Sequence, residues 1–224
     1  MRKRASTQQI RLFIIDDYPI VRQGLTQLVA QEPGFIICGQ SAAGDQALKS
    51  INQLKPDLVI MDIALRKMNG LELIRQIKST HPDIRILVLS MLEESLYAER
   101  ALRAGASGYV MKEEATENFF FACRQVLASQ IYVSKAMSDK ILRKFSSPPP
   151  GLQSTPIERL SNRELQVFRL IGQGRGTQQI AEELGLSTKT IDTYREHIKQ
   201  KLDLADAGAL REYAIRWAQS DKLN

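Results

Sequence analysis

The sequence predicts an α/β domain built on a doubly wound, five-stranded parallel sheet, followed by a smaller domain that is all α-helical. Short apolar runs recur through residues 10–130, and one segment of helical periodicity separates each run from the next. A stretch rich in Pro and Ser follows, and beyond it the chain shows only helical periodicity. These observations place the sheet first and the helices second.

The predicted strands are apolar along their whole length. They cover residues 12–15, 35–38, 58–61, 86–89 and 109–111. Strands of this kind are buried on both faces, as in a parallel sheet covered by helices. Five strand–helix units predict a flavodoxin-like domain over residues 10–133, with the strand order 2-1-3-4-5 that is usual for this class.

Breakers and caps predict the rest of the chain. Residues 134–156 are expected to hold a helix over 136–145 and then a semi-stiff linker containing the segment SSPPPGLQSTP. Ser161 and Glu164 have the spacing of a capping box, which opens the first of four helices in a second domain of residues 157–224. These helices are predicted over residues 162–171, 177–184, 187–202 and 206–218.

Composition excludes several classes of protein. Two cysteines, Cys38 and Cys123, are too few for a disulfide framework or a zinc site. No apolar run approaches the ~18 residues of a membrane helix, and the basic start has no apolar segment behind it, so we expect a cytoplasmic protein without a membrane partner. The net charge of +6 indicates a polyanionic partner only weakly, because residues 151–224 hold 11 Lys and Arg against 10 Asp and Glu.

Polar side chains follow the predicted strands at their carboxyl ends, which is where parallel sheets bind their ligands. Asp16 and Asp17 follow strand one, Asp62 follows strand three, and Ser90 and Lys112 leave strands four and five. Strands one and three are neighbours in the predicted order. We therefore expect three carboxylates, a hydroxyl and an ammonium group to converge on one patch.

This patch predicts a site for Mg²⁺ and a phosphoryl group. Three carboxylates favour a hard cation, and Mg²⁺ leaves room for phosphoryl oxygens in its coordination shell. Ser90 can donate a hydrogen bond to one phosphoryl oxygen, and Lys112 can pair with another. No Gly-rich loop follows strand one, which argues against a bound nucleotide. Asp62 is the candidate nucleophile that receives the phosphoryl group.

Residues 10–130 resemble the receiver domain of bacterial response regulators. The resemblance rests on four motifs in the family's order, namely the acidic pair DD, VIMDIALRKMNG, VLSM and GYVMKE. It implies that a histidine kinase phosphorylates Asp62, which would also ligate Mg²⁺. The other metal ligands would be Asp17 directly, Asp16 through water and the backbone carbonyl of Ala64. Phosphoryl-binding and switch roles would fall to Ser90, Tyr109 and Lys112, and no catalytic residue is predicted.

Two departures from the family's pattern lie in the same patch. Arg66 stands where the family usually has Pro, and Met91 stands where a small residue is common. The resemblance also implies that Ala64 and Leu92 flank the phosphoryl group, and neither has a polar group that could orient an attacking water. We therefore expect slow hydrolysis of phospho-Asp62. If Met91 obstructs entry, the protein instead works unphosphorylated.

The second domain has the spacing of a helix-turn-helix, with a short helix, a tight turn and a longer reading helix. Ile191, Ile198 and Leu202 are predicted to face the core, while the outer face of the longer helix is polar. A solvated helix shows the same pattern, so periodicity alone leaves DNA binding open. Residues 160–204 resemble the LuxR-type helix-turn-helix through LSNRE, IAEELGLSTKTID and IKQKL, which with the receiver indicates a NarL/FixJ-type response regulator.

The LuxR-type resemblance implies contacts with double-stranded promoter DNA. Phosphate contacts are expected from Thr177, Lys189, Thr190 and Lys199, and base contacts from Asp192, Thr193 and Glu196. The near-neutral charge of this domain predicts few phosphate contacts per monomer and reliance on dimers. The last predicted helix either contributes to a dimer or packs within the monomer.

The leading interpretation is a two-component response regulator, that is, a transcription factor switched by Mg²⁺-dependent phosphorylation of Asp62 and active as a homodimer. The alternative is a phosphorylation-independent DNA-binding regulator whose receiver is a dimerisation platform, and Arg66 and Met91 favour it. A third possibility, a Mg²⁺-dependent phosphatase, finds no additional general acid in the sequence. We predict that the protein is not an enzyme.

Overall fold

The computed structural model describes residues 9–66, 68–146 and 155–220. The chain divides into two compact units, Met1–Ile141 and Leu142–Asn224. Most of the predicted linker lies outside the described residues. Within the described ranges, no helix combines the length and the apolar character needed to cross a membrane.

The first unit contains a five-stranded sheet in which every pair of neighbours is parallel. Its strands are β1 Ile10–Ile15, β2 Phe35–Ser41, β3 Leu58–Met61, β4 Arg85–Ser90 and β5 Gly108–Met111. The order β2-β1-β3-β4-β5 confirms the predicted fold and topology. The second strand continues beyond the predicted residues 35–38 to Ser41.

Helices connect the strands and cover the sheet. They are α1 Pro19–Ala30, α2 Gly44–Leu54, α3 Gly70–Thr80, α4 Glu94–Ala104 and α5 Ala115–Leu127, and α6 Lys135–Ser146 follows. All four residues of β3 are at most 1% exposed, because successive side chains point to opposite faces and both faces are covered. An apolar strand without alternation is thus explained by its central position in the sheet.

The register of the strands brings particular residues to the same edge of the sheet. Ile15 lies opposite Met61, and Ser90 lies opposite Met111. The residues that follow these strand ends, Asp16, Asp62 and Lys112, therefore leave the sheet at the same level.

The loop between β3 and α3 is held in a tight arc. The side chain of Asn69 caps α3 by accepting hydrogen bonds from the backbone N–H groups of Leu71 and Glu72. A Cβ atom on Gly70 would lie 2.4 Å from the Cα of Ile63, so only glycine lets the two backbones approach this closely. The arc keeps residues 63–66 beside the carboxyl end of β3.

The second unit is helical, as predicted. Its helices are α7 Asn162–Gly172, α8 Thr177–Leu184, α9 Thr188–Leu202 and α10 Ala207–Ser220. The capping box is confirmed, since Ser161 accepts from the N–H of Glu164 and Glu164 accepts from the N–H of Ser161. Ser187 is the N-cap of α9 rather than its first residue. A 3-10 turn at Pro156–Arg159 was not predicted.

The last helix packs within its own unit. The Phe168 ring of α7 lies 5.4 Å from the Trp217 ring and 5.8 Å from the Tyr213 ring of α10. Leu210 is fully buried. A Cβ atom on Gly172 would lie 2.5 Å from the carbonyl oxygen of Ala214, which shows how closely α7 and α10 approach. Of the two roles considered for α10, these contacts favour packing within the monomer.

Candidate functional site

Two buried carboxylates lie side by side at the carboxyl ends of β1 and β3. Asp16 is 2% exposed and Asp62 is 3% exposed. Their backbones are tied together, because the N–H of Asp62 donates a 2.9 Å hydrogen bond to the carbonyl of Ile15. The predicted convergence of these side chains follows directly from the register of β1 and β3.

Lys112 bridges the two carboxylates. Its Nζ lies 2.6 Å from Oδ2 of Asp16 and 2.6 Å from Oδ2 of Asp62. Burial by itself lowers the pKa of Lys112, but the charge and hydrogen bonds of the two carboxylates outweigh burial and raise this pKa above its usual value. The ammonium group therefore stays charged at neutral pH.

The charge of Asp16 is only partly compensated. Burial raises the pKa of Asp16, and hydrogen bonds from Lys112 and from the N–H of Tyr18 offset this effect in part. The neighbouring charge of Asp62 raises the pKa further. Two carboxylates and one ammonium leave a net negative charge here, which attracts a further cation.

Both oxygens of Asp62 accept hydrogen bonds. Oδ1 accepts from the Ser90 hydroxyl at 2.6 Å and from the Ala64 N–H at 2.8 Å, while Oδ2 accepts from Lys112. Ser90 is fully buried. These donors are the groups that would hold phosphoryl oxygens if Asp62 were phosphorylated, so the predicted acceptor and its predicted partners are in mutual contact.

Asp17 lies beside this group and differs from it in its partners. Its Oδ2 is 3.3 Å from Nε of Arg66, whereas its Oδ1 is buried and has no hydrogen-bond partner in the part of the chain that the structure describes. A buried carboxylate oxygen without a donor is destabilised unless a cation binds to it. This oxygen fits a Mg²⁺ ligand.

The four predicted metal ligands are only partly arranged around one point. Among the described residues, no three His, Cys, Asp or Glu side chains are grouped so that they could hold a metal ion. Lys112 stands between Asp16 and Asp62, and Arg66 pairs with Asp17. The hard oxygen donors and the unpartnered Oδ1 of Asp17 nevertheless match the preference of Mg²⁺.

Tyr109 points into the fold. Its side chain is fully buried, and its hydroxyl donates a 2.6 Å hydrogen bond to the carbonyl of Leu92. Burial raises the pKa of Tyr109 well above its usual value, so the phenol remains protonated and acts as a donor.

Three residues at this site, namely Arg66, Tyr18 and Met91, have no role predicted from the sequence. The sequence shows Arg66 only as a departure from the family pattern, although a positive charge near the predicted acidic patch is a signal for an ion pair. The Tyr18 ring lies near two cations, 5.8 Å from Cζ of Arg66 and 5.9 Å from Nζ of Lys112. Met91 directly follows the buried Ser90 and is 56% exposed.

The second unit contains the predicted helix-turn-helix in α8 and α9. Gly185 ends α8 with φ of +65°, a left-handed conformation that glycine adopts without strain. Ile191, Ile198 and Leu202 are buried, as predicted. The predicted DNA contacts Lys189, Asp192, Thr193 and Glu196 are exposed, whereas Thr177, Thr190 and Lys199 are half-buried.

Several of these side chains already have partners in the protein. Lys199 lies 2.9 Å from Glu196, and the Thr193 hydroxyl donates to the carbonyl of Lys189 at 3.0 Å. Thr177 accepts a hydrogen bond from Arg195, and Thr190 bonds to the capping Ser187. The Thr193 hydroxyl is therefore engaged within α9, and the exposed carboxylate of Glu196 is paired with Lys199.

A buried carboxylate of α7 forms an ion pair with α9. Glu164 of α7 has a side chain 5% exposed, and its Oε2 accepts from Lys201 of α9 at 2.7 Å. Burial raises the pKa of Glu164, but the hydrogen bonds from Lys201 and Ser161 outweigh burial and lower the pKa overall. The capping motif predicted Glu164 as a cap, and its ion pair with Lys201 depends on tertiary structure.

The fold and the two sites define a class of protein. A 2-1-3-4-5 parallel sheet with acidic residues at its carboxyl edge, joined in one chain to a helix-turn-helix, is the architecture of a DNA-binding response regulator. Residues 12–124 match the family model described as the response regulator receiver domain, and residues 158–214 match that of the bacterial regulatory proteins of the luxR family.

Similar proteins extend over nearly the whole chain. The response regulator GacA of Pseudomonas viridiflava is 35% identical over 212 residues, which cover 95% of this chain and 98% of GacA. The oxygen regulatory protein NreC of Staphylococcus aureus is 31% identical over 211 residues, covering 92% and 97%. RcsB of Salmonella enterica, solved on the rprA promoter with a phosphomimetic, is 25% identical with a TM-score of 0.64, covering 92% and 98%.

The chain belongs to the NarL/FixJ family of response regulators. It has a receiver domain and a LuxR-type DNA-binding domain, as the motifs of both halves indicated.

Proposed function

We propose that this response regulator is a transcription factor switched by phosphorylation of Asp62. One observation carries the proposal: Asp62 is held by Ser90, Lys112 and the Ala64 N–H, beside a carboxylate oxygen of Asp17 that has no donor among the described residues. The phosphodonor is a histidine kinase, the usual partner of a receiver domain. The role is regulatory, not the turnover of a substrate.

Phosphoryl transfer follows from these contacts. One oxygen of Asp62 attacks the phosphorus of a phosphohistidine, the P–N bond breaks, and the electron pair returns to the imidazole, which takes up a proton. Lys112 and the Ser90 hydroxyl release Asp62 and donate to the phosphoryl oxygens instead, which stabilises the charge that these oxygens carry.

We propose Mg²⁺ as the cofactor, which supplies charge neutralisation at the phosphoryl oxygens when bound. Asp17 and Asp62 would hold it directly, Asp16 through water, and the Ala64 carbonyl would complete the protein ligands. Their support is the acidic surplus of the patch and the unpartnered oxygen of Asp17.

Movement of Ser90 toward a phosphoryl group supplies the switch. The Tyr109 hydroxyl donates to the carbonyl of Leu92, and the N–H of Leu92 donates to the Ser90 hydroxyl at 3.4 Å, so the position of residues 90–92 is coupled to Ser90. Phosphorylation biases this segment between two positions. We propose that the phosphorylated form is a homodimer that binds promoter DNA, and that the protein acts in the cytoplasm. Residues 10–133 would form the receiver domain and residues 157–224 the DNA-binding domain.

The alternative, a phosphorylation-independent regulator, is favoured by one specific observation. Lys112 and Arg66 pair with the three carboxylates, so the chain's own cations compensate most of the negative charge of the patch. On this alternative the receiver serves as a dimerisation platform only.

One experiment separates the two functions. The full chain is incubated with acetyl phosphate and Mg²⁺, its intact mass is measured, and its affinity is determined for duplexes selected from a random-sequence DNA library. A gain of one phosphoryl group with tighter DNA binding supports the proposal. Equal and tight binding without any phosphorylation supports the alternative.

Hydrolysis of phospho-Asp62 is expected to be slow. Ala64 and Leu92 have apolar side chains beside the phosphoryl position, so neither can orient an attacking water. We expect the phosphorylated protein to persist well beyond seconds and the Ala64→Asn variant to lose its phosphoryl group faster. Loss of the phosphoryl group is followed by intact mass. Decay of the natural protein within seconds, or slower decay in the variant, contradicts this expectation.

Contacts with phosphates and with bases are expected to respond differently to mutation. Lys189→Ala removes a charge that acts on any sequence, so affinity should fall about equally for all duplexes. Glu196→Ala should change the preferred sequence, because a carboxylate accepts from the amino group of cytosine. Fluorescence anisotropy with a panel of single-substitution duplexes measures both, and Arg211→Ala on α10 is the charge-matched control. Equal losses from both variants on every duplex would contradict the division.

A further inference from the structure

Arg66 occupies an unusual position in the acidic patch. It follows Asp62 by four residues in the arc that leads to α3, and its Nε lies 3.3 Å from Oδ2 of Asp17. The Arg66 side chain is 68% exposed, whereas that of Asp17 is 11% exposed. An exposed cation thus pairs with a carboxylate that is nearly buried.

The charges of the patch show what this contact does. Asp16, Asp17 and Asp62 carry three negative charges, and the described cations paired with their carboxylates are Lys112 and Arg66. The guanidinium of Arg22 instead donates to the backbone carbonyl of Asp16, at 2.6 Å. Lys112 is tied to Asp16 and Asp62, so Arg66 supplies the charge that Asp17 lacks. Neutralisation of Asp17 is otherwise the task of the divalent ion.

We propose that Arg66 is a tethered cation that competes with Mg²⁺ for Asp17 and lowers the affinity of this receiver for Mg²⁺. The inference rests on the proposed function, because it takes Asp17 as a metal ligand. A guanidinium stays charged at every physiological pH, so Mg²⁺ always binds against its repulsion or after Arg66 has turned out to solvent. The high exposure of Arg66 lets it leave, so Arg66 competes without closing the site.

The same contact also permits the opposite effect, which the experiment must distinguish. Arg66 touches Oδ2 and leaves Oδ1 unpartnered. If Arg66 stays on Oδ2 and orients Oδ1 toward the metal, it acts as an outer-shell group, and its removal weakens Mg²⁺ binding. Competition predicts tighter binding after the same substitution.

The test is isothermal titration calorimetry of the metal-free full chain with MgCl₂, at low and at high ionic strength. Arg66→Gln is expected to lower the Kd for Mg²⁺ by roughly threefold to tenfold, which is the size of the repulsion between a divalent ion and one partly exposed charge. High salt should reduce this difference. Arg66→Lys keeps the charge, so its Kd for Mg²⁺ should remain close to that of the natural protein.

Arg75→Gln is the matched control. It removes the same charge from a pair with Glu72 on α3, with side chains 51% and 50% exposed, and should leave the Kd unchanged. As a second measurement, Mg²⁺ should raise the Tm of the Arg66→Gln variant by more than it raises the Tm of the natural protein.

The possible results separate this inference from the proposed function. If the natural protein binds Mg²⁺ and Arg66→Gln binds it equally or more weakly, competition is wrong, while the metal site stands. If neither chain binds Mg²⁺ and Asp17→Asn behaves identically, the metal site itself is wrong and the inference fails with it. Tighter binding by Arg66→Gln, lost again in the Arg66→Gln/Asp17→Asn double variant, establishes competition at Asp17.

Discussion

Asp62→Asn is expected to abolish phosphorylation of this protein. Asparagine has no nucleophilic carboxylate, so no acyl phosphate can form at residue 62. The fold should persist, because the amide oxygen can still accept the hydrogen bonds that Ser90 and the Ala64 N–H donate, and Lys112 keeps its ion pair with Asp16. Intact mass after incubation with acetyl phosphate and Mg²⁺ should show one added phosphoryl group in the natural protein and none in the variant.

Asp45→Asn provides the control for this substitution. Asp45 is an exposed residue of the first turn of α2, and changing it removes the same charge without touching the patch. This variant should be phosphorylated as fully as the natural protein. Uptake of a phosphoryl group by Asp62→Asn would show that another residue is the acceptor, and would refute the assignment of Asp62.

Lys112→Met is expected to destabilise the receiver strongly. The substitution leaves Asp16 and Asp62, both at most 3% exposed, without the cation that bridges them. Removing one partner of a buried ion pair costs about 3–5 kcal/mol of the free energy of unfolding. Urea unfolding followed by far-UV circular dichroism measures this loss. Lys49→Met, at an exposed position of α2, should change little.

The single tryptophan of the chain makes this measurement specific. Trp217 lies in the second unit, so its fluorescence reports the unfolding of that unit. The urea midpoint of the Trp217 transition should be the same in Lys112→Met and in the natural protein. If the loss of free energy is below about 1 kcal/mol, or if the Trp217 transition shifts equally, the bridging role of Lys112 is contradicted.

The same variant should show a characteristic pH dependence. Burial already raises the pKa of Asp16, and Lys112 acts to lower it, so the pKa should rise further in Lys112→Met. A carboxyl group with a raised folded-state pKa binds a proton more readily in the native state than in the unfolded state. Its neutral form therefore favours folding at low pH, and this contribution is lost as pH rises through the raised pKa. The difference in the free energy of unfolding between the natural protein and Lys112→Met should therefore decrease as the solution is acidified from neutral pH.

The sequence by itself determined the order of strands and helices and the chemistry at the strand ends. Unbroken apolar runs such as residues 58–61, separated by segments of helical periodicity, indicate strands of a sheet covered on both faces. Parallel strands in the order 2-1-3-4-5 must then bring Asp16 and Asp62 to one edge. Position relative to a strand end is a property of the local sequence, and for that reason it could be read before the fold was known.

The outcome at the helix-turn-helix follows the same rule. The capping box, the turn at Gly185 and the buried face of α9 depend on spacings of a few residues, and all three are present. The ion pair of Glu164 with Lys201 and the packing of Trp217 on Phe168 join residues from different helices. No local spacing encodes those contacts, so the sequence alone could not decide what α10 packs against.

Only the tertiary structure decided how the charges of the patch are shared. The sequence placed Lys112 and the carboxylates at one edge but could not show that one ammonium bridges Asp16 and Asp62. Nor could it show that Arg66 reaches Asp17. Long charged side chains can extend in many directions from the same backbone. Their partners depend on which carboxylate oxygens nearby have no other hydrogen-bond donor. That balance arises only when all the strand ends are assembled.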